Sequence, residues 1–255
     1  WKDIPFAAAT LSTGVTACRG NLGVFAFAFV SPMINFVTVI VQFMSLVSFL
    51  GWLGLFDSWS SNLDDYHETS GAVQFGISVT YILFTVSLYW TSEVIKNITT
   101  VTVSGTIGTW WYSPSEASSC CSSAVMDSFK RATTYSFGSI CFGSLIVAIL
   151  SAINSMLRRA QRDRRCVLFY CVIRCIMLYV QRLVEYFNKW AFVYVGLYGY
   201  DYMTAGKNVM TLFKSRGWST VIAHSLVQKA MFMISLCIGL VTGLIVALAS
   251  SLVEE

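Results

Sequence analysis

Trp90, Glu93 and Lys96 are the residues of this sequence best spaced for chemistry. Residues three apart on a helix are neighbours, so the carboxylate has an indole on one side and an ammonium on the other. A carboxylate beside an aromatic ring suits a quaternary ammonium, which offers no N–H and must be recognised by charge and by ring contact. An acid inside an apolar segment is costly and usually faces a partner or a water-filled path. The plainer reading of Glu93 is an interfacial acid paired with Lys96. Trp110, Trp111 and Tyr112 form a second aromatic group, readable as part of an ammonium cage or as an anchor at headgroup level.

Other reactive types give little. His67 and His224 are isolated, and no Cys or His pair has zinc spacing, so neither metal nor cofactor is expected. There is no phosphate-cradling glycine loop, nucleophile elbow or catalytic carboxylate pair, so the sequence does not read as an enzyme. Cys166, Cys171 and Cys175 could be lipidated or simply apolar. Asn97-Ile-Thr99 fits the glycosylation pattern and is expected to stay unmodified beside Lys96.

The elements that must position these residues follow from charge. Charged residues are 12% of the 255, where a soluble domain carries roughly 25%. That excludes a water-soluble enzyme, a disordered tail and a basic nucleic-acid binder. Charge is absent over 20–56, 69–92, 97–115, 132–157 and 230–253. A membrane-crossing helix needs about 20 apolar residues, so the chain reads as an all-α polytopic transmembrane bundle. The expected spans are 24–56, 72–95, 97–112 (short, broken, or the continuation of one long helix), 132–156 and 230–252. Residues 157–229 read as a cytosolic interfacial segment. Its part 166–190 gathers Arg174, Gln181, Arg182, Glu185, Asn188 and Lys189 on one arc and reads as an amphipathic helix on the cytosolic face. Small residues every four positions, with Gly138, Gly143, Gly239 and Gly243 among them, predict close helix packing.

Arginines at 158, 159, 162, 164 and 165 put that turn in the cytosol by the positive-inside rule. The acidic, Lys- and Arg-free loop 57–68 reads as outside. Those two assignments require an odd number of crossings between them, which makes 97–112 a separate return. On that map all Lys and Arg except Lys130 and Arg131 are cytosolic. The start at Trp1 and the stop just after a hydrophobic run predict part of a larger membrane domain.

Several stretches together resemble the choline transporter-like family of eukaryotic multi-pass membrane proteins. They are Trp90-Thr-Ser-Glu-Val-Ile-Lys-Asn97, Val101-Thr-Val-Ser-Gly-Thr-Ile-Gly-Thr-Trp-Trp111, Ser136-Phe-Gly-Ser-Ile-Cys-Phe-Gly-Ser-Leu145, Asn188-Lys-Trp-Ala-Phe-Val-Tyr-Val-Gly-Leu-Tyr-Gly199 and Ala205-Gly-Lys-Asn208. The likeness extends over nearly the whole chain, with a Ser- and Cys-rich loop 113–128 as a departure. The resemblance implies the middle-to-late spans of a ten-span bundle, with both termini of the bundle cytosolic. It implies facilitated or proton-coupled alternating-access transport of choline or another small cationic amine. Partners would be that amine and membrane lipids, with no nucleic acid, in the plasma membrane first and an organelle second. The substrate-binding candidates are then Trp90, Glu93, Trp110, Trp111 and Tyr112. The competing expectation is a non-transport membrane scaffold or lipid-interacting protein of the same fold.

Overall fold

A computed structural model describes residues 3–52, 71–115, 123–160, 167–216 and 219–253. The described residues form eight helices: α1 (Asp3–Gly20), α2 (Leu22–Trp52), α3 (Gly71–Tyr112), α4 (Ser123–Thr133), α5 (Phe137–Ala160), α6 (Val167–Tyr198), α7 (Tyr202–Arg216) and α8 (Ser219–Val253). Four of them are long and apolar enough to cross a membrane: α2, α3 over Phe75–Tyr112, α5 over Phe137–Arg158, and α8 over Leu226–Ala247. The fold is therefore the expected all-α polytopic bundle. Gly20–Val209 form one compact unit; Trp1–Arg19 and Met210–Glu255 form another. Within the second unit, residues 231–247 of α8 are all exposed.

In the first unit several polar side chains are buried alongside an apolar core of Val101, Ile140, Phe192 and Val195, and many large apolar ones face outward. Asn97, Thr102, Thr106, Ser144, Asn154 and Asn188 are buried, while Phe29, Phe36, Leu83, Ile176 and Leu183 are exposed. A surface in hydrocarbon can be apolar throughout, whereas interior polar groups must find partners there.

The largest difference from the sequence reading is α3. It runs unbroken for 42 residues, through the expected turn at Lys96–Asn97. In the Thr-rich half, hydroxyls bond back along the same helix. Thr99 donates to the Ile95 carbonyl, Thr100 to Lys96, Thr106 to Thr102 and Thr109 to Gly105, at 2.9–3.2 Å. These four hydroxyls are thus satisfied within the helix, which lets a polar composition sit inside an apolar bundle.

The neighbours of α3 fix the direction of every helix in this unit. Along α2 the pairs are Phe49 with Phe84, Gln42 with Thr91, Ser31 with Thr99 and Gly20 with Trp110, an antiparallel run. Along α5, Tyr89 meets Ser155, Asn97 meets Ser144 and the Trp90 indole reaches the Cys141 carbonyl; Ile77 beside Met156 at one end and Val101 beside Ile140 in the core make the run antiparallel. α6 runs back along α5, pairing Gln181 with Ser151 at 3.1 Å and Asn188 with the Gly143 carbonyl at 2.9 Å.

Two sequence expectations change as a result. α6 does not lie across the end of the bundle as an interfacial helix. It packs lengthwise beside the membrane-length α5, with Gln181 and Asn188 turned inward and Val172, Ile176, Tyr179 and Leu183 outward. The amphipathic pattern is present, but its polar face is divided: Gln181 and Asn188 bond to α5, while Arg182, Glu185 and Lys189 stay exposed. Second, Leu50, Ile77 and Met156 line one cavity, so the ends of α2 and α5 and the start of α3 share one end of the bundle. The acidic loop 57–68 lies outside the described residues. Lys96, read from the sequence as the cytosolic end of a span, lies within the continuous α3.

The turn from α6 to α7 is tight. Gly199 adopts φ 71° and its N–H bonds the Val195 carbonyl at 2.9 Å, a left-handed helix end that glycine takes without steric cost. Asp201 then caps α7 by accepting from the Thr204 N–H at 3.1 Å. Hydrogen bonding to Thr204 holds the exposed Asp201 carboxyl below its ordinary range. This turn delivers the ring of Tyr202 against Gly143 and Phe192 in the bundle core.

Candidate functional site

Contacts with two separate helices put residues 93–97 of α3 at the middle of the bundle. The middle of α2 falls between its contacts at Ser31 and Gln42, which correspond to Thr99 and Thr91 of α3. The middle of the crossing part of α5 falls between Ser144 and Ser155, which correspond to Asn97 and Tyr89. Both interpolations meet near Val94–Ile95. Glu93 and Lys96 are therefore at mid-depth of the packed helices, not at the cytosolic end of a span as the sequence suggested. The same construction on α6 gives the neighbourhood of Glu185, between Gln181 and Asn188.

A polar layer occupies this level. The Lys96 ammonium lies 3.1 and 3.3 Å from the two carboxylate oxygens of Glu93. Their side chains are 65% and 22% exposed, so the pair sits at the edge of the packed core. Asn97, 7% exposed, donates to the Ser144 hydroxyl at 2.9 Å. On α6, Gln181 donates to Glu185 at 2.7 Å and accepts from Asn154. Lys189 of α6 lies close enough to Lys96 to feel its charge. Asn188 accepts from the Tyr202 hydroxyl while donating to α5. Among the described residues, buried side-chain oxygens without a hydrogen-bond partner include Asn35 Oδ1, Gln42 Oε1, Thr102 Oγ1 and Asn154 Oδ1.

The substrate-binding candidates separate. Trp90 stands one turn before Glu93, but its indole N–H donates to the Cys141 carbonyl of α5 at 2.9 Å, while Glu93 turns to Lys96. Trp110 is twenty residues beyond Trp90, about 30 Å along a continuous helix. Trp111 and Tyr112 are 65% and 79% exposed at the end of α3. The structure does not bring 110–112 to Glu93, so these aromatics and Trp90 form no common cage.

The glycine candidates also divide. A Cβ on Gly143 would lie 2.5 Å from Tyr202 and 2.7 Å from Phe192, while Gly138, Gly239 and Gly243 meet nothing within 4 Å. The closest backbone approach is one the sequence reading passed over. A Cβ on Gly196 would lie 2.6 Å from the Val101 carbonyl and 2.8 Å from Ser104, with Gly105 of α3 directly opposite. Reading α6 as packed lengthwise in the bundle would have revealed this pair, since small residues mark close helix contacts. Gln42 was also missed, being a lone amide in an apolar run.

Compared with known proteins, the chain matches the family model described as plasma-membrane choline transporter over residues 1–253. The chain belongs to the choline transporter-like family. It is 39% identical over 183 residues to Protein PNS1 of Mycosarcoma maydis, covering 69% of this chain and 33% of that protein. It is 33% identical over 237 residues to Protein PNS1 of Yarrowia lipolytica, covering 90% and 41%. With a CTL-like protein of Dictyostelium discoideum the identity is 32% over 251 residues, covering 97% and 42%. This choline transporter-like chain thus spans less than half the length of the relatives it matches. Its helix directions show what that family membership holds together here: a charge pair and an amide layer at mid-depth of a lipid-facing bundle.

Proposed function

We propose that this protein carries a small cationic amine, choline or a close relative, across a membrane by alternating access, facilitated or proton-coupled. The observation that supports this most is the layer of Glu93, Lys96, Asn97, Glu185 and Asn188 at mid-depth of the bundle. Transporters place substrate and coupling-ion sites near the bilayer midplane, and ionisable residues there mark a pathway by default. Glu93 is the counter-charge. Lys96 holds it in the resting protein, and the substrate's ammonium takes the place of the lysine ammonium during passage. The aromatic ring of Trp90 borders that exchange from the α5 side. Trp110, Trp111 and Tyr112 act as anchors at the bundle end, where exposed Tyr135 stands as well. The arginine turn after α5 faces the cytosol, and the protein resides in the plasma membrane. Nothing in this mechanism calls for covalent chemistry, a metal or a cofactor.

One observation favours a second reading. Glu93 and Lys96 neutralise each other, as they would in a scaffold whose spans merely pack. Uptake of labelled choline into proteoliposomes containing the full-length protein separates the two. The transport reading expects saturable uptake above protein-free vesicles; uptake no faster than in those vesicles contradicts it and supports the scaffold.

A further inference from the structure

A cavity of about 220 Å³ lies between α2 and α3, one helical turn from the Glu93–Lys96 pair. Its lining includes Phe43, Tyr81, Phe84 and Tyr89, with Gln42 at the end nearest the polar layer. Tyr89 precedes Glu93 by four residues and so shares its helix face. The cavity is smaller than the roughly 300–1,000 Å³ that takes a drug-sized ligand, which suits a small cation. Its rings are held from outside. The Tyr89 hydroxyl is 2.9 Å from Ser155 on α5, and the Phe84 ring packs 6.2 Å from Phe49 on α2. Gln42 donates through its amide nitrogen to Thr91 at 3.2 Å, while its carbonyl oxygen is buried and accepts nothing. A second cavity of about 510 Å³ shares Leu46 and Tyr81 with the first and continues to Leu50, Ile77 and Met156 at the end of the bundle. The two make a route from that end to the edge of the polar layer.

We propose that the inner cavity is the seat in which the substrate of the transport reading waits, and that it selects a quaternary ammonium bearing a hydroxyl. The proposal rests on that reading and names its recognition chemistry. Aromatic rings attract the cation without offering it a hydrogen bond it could not use. The substrate hydroxyl donates to Gln42 Oε1, the acceptor that otherwise has no partner. The seat contains no carboxylate, so the cation is held by rings first and meets Glu93 one turn later. Charge and hydroxyl are thus read at different residues.

The test is binding to the full-length protein in lipid nanodiscs, with labelled choline and labelled tetramethylammonium, which lacks the hydroxyl. Gln42→Leu should weaken choline about tenfold and leave tetramethylammonium within about twofold. Phe84→Leu should weaken both by about three- to thirtyfold. The uncharged isostere 3,3-dimethylbutan-1-ol should not displace either. The ratio of the two affinities within each variant is unaffected by a misfolded fraction, so it reads the seat and not the yield. Equal loss of both ligands in Gln42→Leu, or displacement by the uncharged isostere as effective as by choline, overturns the proposal. Wild-type affinity for choline in both variants overturns the seat and leaves the transport reading standing. Absence of saturable binding to the wild type removes both.

Discussion

Glu93 and Lys96 carry opposite charges at a depth where each alone is expensive. A single charge at the centre of a membrane helix costs roughly 2.5–3.5 kcal/mol on insertion scales, and a pair that meets at 3.1 Å avoids part of that. Removing one partner leaves the other uncompensated, whereas removing both does not. Glu93→Gln is therefore expected to lower the melting temperature of the full-length protein by a few degrees, about 1 kcal/mol, with recovery in the Glu93→Gln, Lys96→Gln double variant. Choline uptake should fall about tenfold or more in both variants, because the counter-charge is gone from each. Stability that recovers together with uptake would assign the pair to packing alone. Asn97 shows how depth changes the meaning of a residue. Its glycosylation pattern is unusable because the amide donates to Ser144 inside the α3–α5 contact, a reason different from the cytosolic placement the sequence suggested. Trp111 and Tyr112 make the converse point: aromatic type suggested a cage, and position made them exposed ends.

At the scale of elements, the bundle depends on where backbones can touch. Gly196 of α6 lies against the backbone of α3 at Val101, so an alanine there pushes two helices apart and cannot be relieved by turning a side chain. Gly196→Ala should cost about 1–3 kcal/mol in thermal unfolding of the full-length protein, while Gly138→Ala, with open space around it, should cost nothing measurable. Equal effects would mean that α6 does not pack on α3 as described. The apolar runs of α2, α5 and α8 were legible as spans because length and lack of charge suffice for a helix surrounded by lipid. The continuity of α3 was not, since Glu93, Lys96 and a Thr-rich stretch look like a turn when read in order. Only the back-bonded hydroxyls and the neighbours on α2 and α5 show that the polar stretch is interior. α6 was misread for the same reason. An amphipathic pattern states that a helix has two different faces, and the partners decide whether the polar one meets water or the protein. The candidate site was legible to the extent of Glu93 and its lysine. Gln42 was hidden, because a single amide in an apolar run acquires meaning only through the cavity it lines.

For the whole molecule, helix directions and site location are one claim. If α3 crosses once, beside antiparallel α2 and α5, then residues 93–97 are central and the two ends of α3 emerge on opposite faces. If 72–95 and 97–112 were separate crossings, both ends would emerge on the same face, Lys96 would sit at the other surface, and no mid-depth charge pair would exist. Family membership leaves this open, and the proposed exchange of Lys96 for a substrate ammonium depends on it. The deciding measurement is labelling of single cysteines by a membrane-impermeant thiol reagent in sealed, oriented vesicles. It requires the full-length protein with its native cysteines replaced, and Phe75→Cys or Tyr112→Cys as the single target at the exposed ends of α3. The account expects the two positions to react from opposite sides of the membrane. Reaction of both from the same side would contradict it.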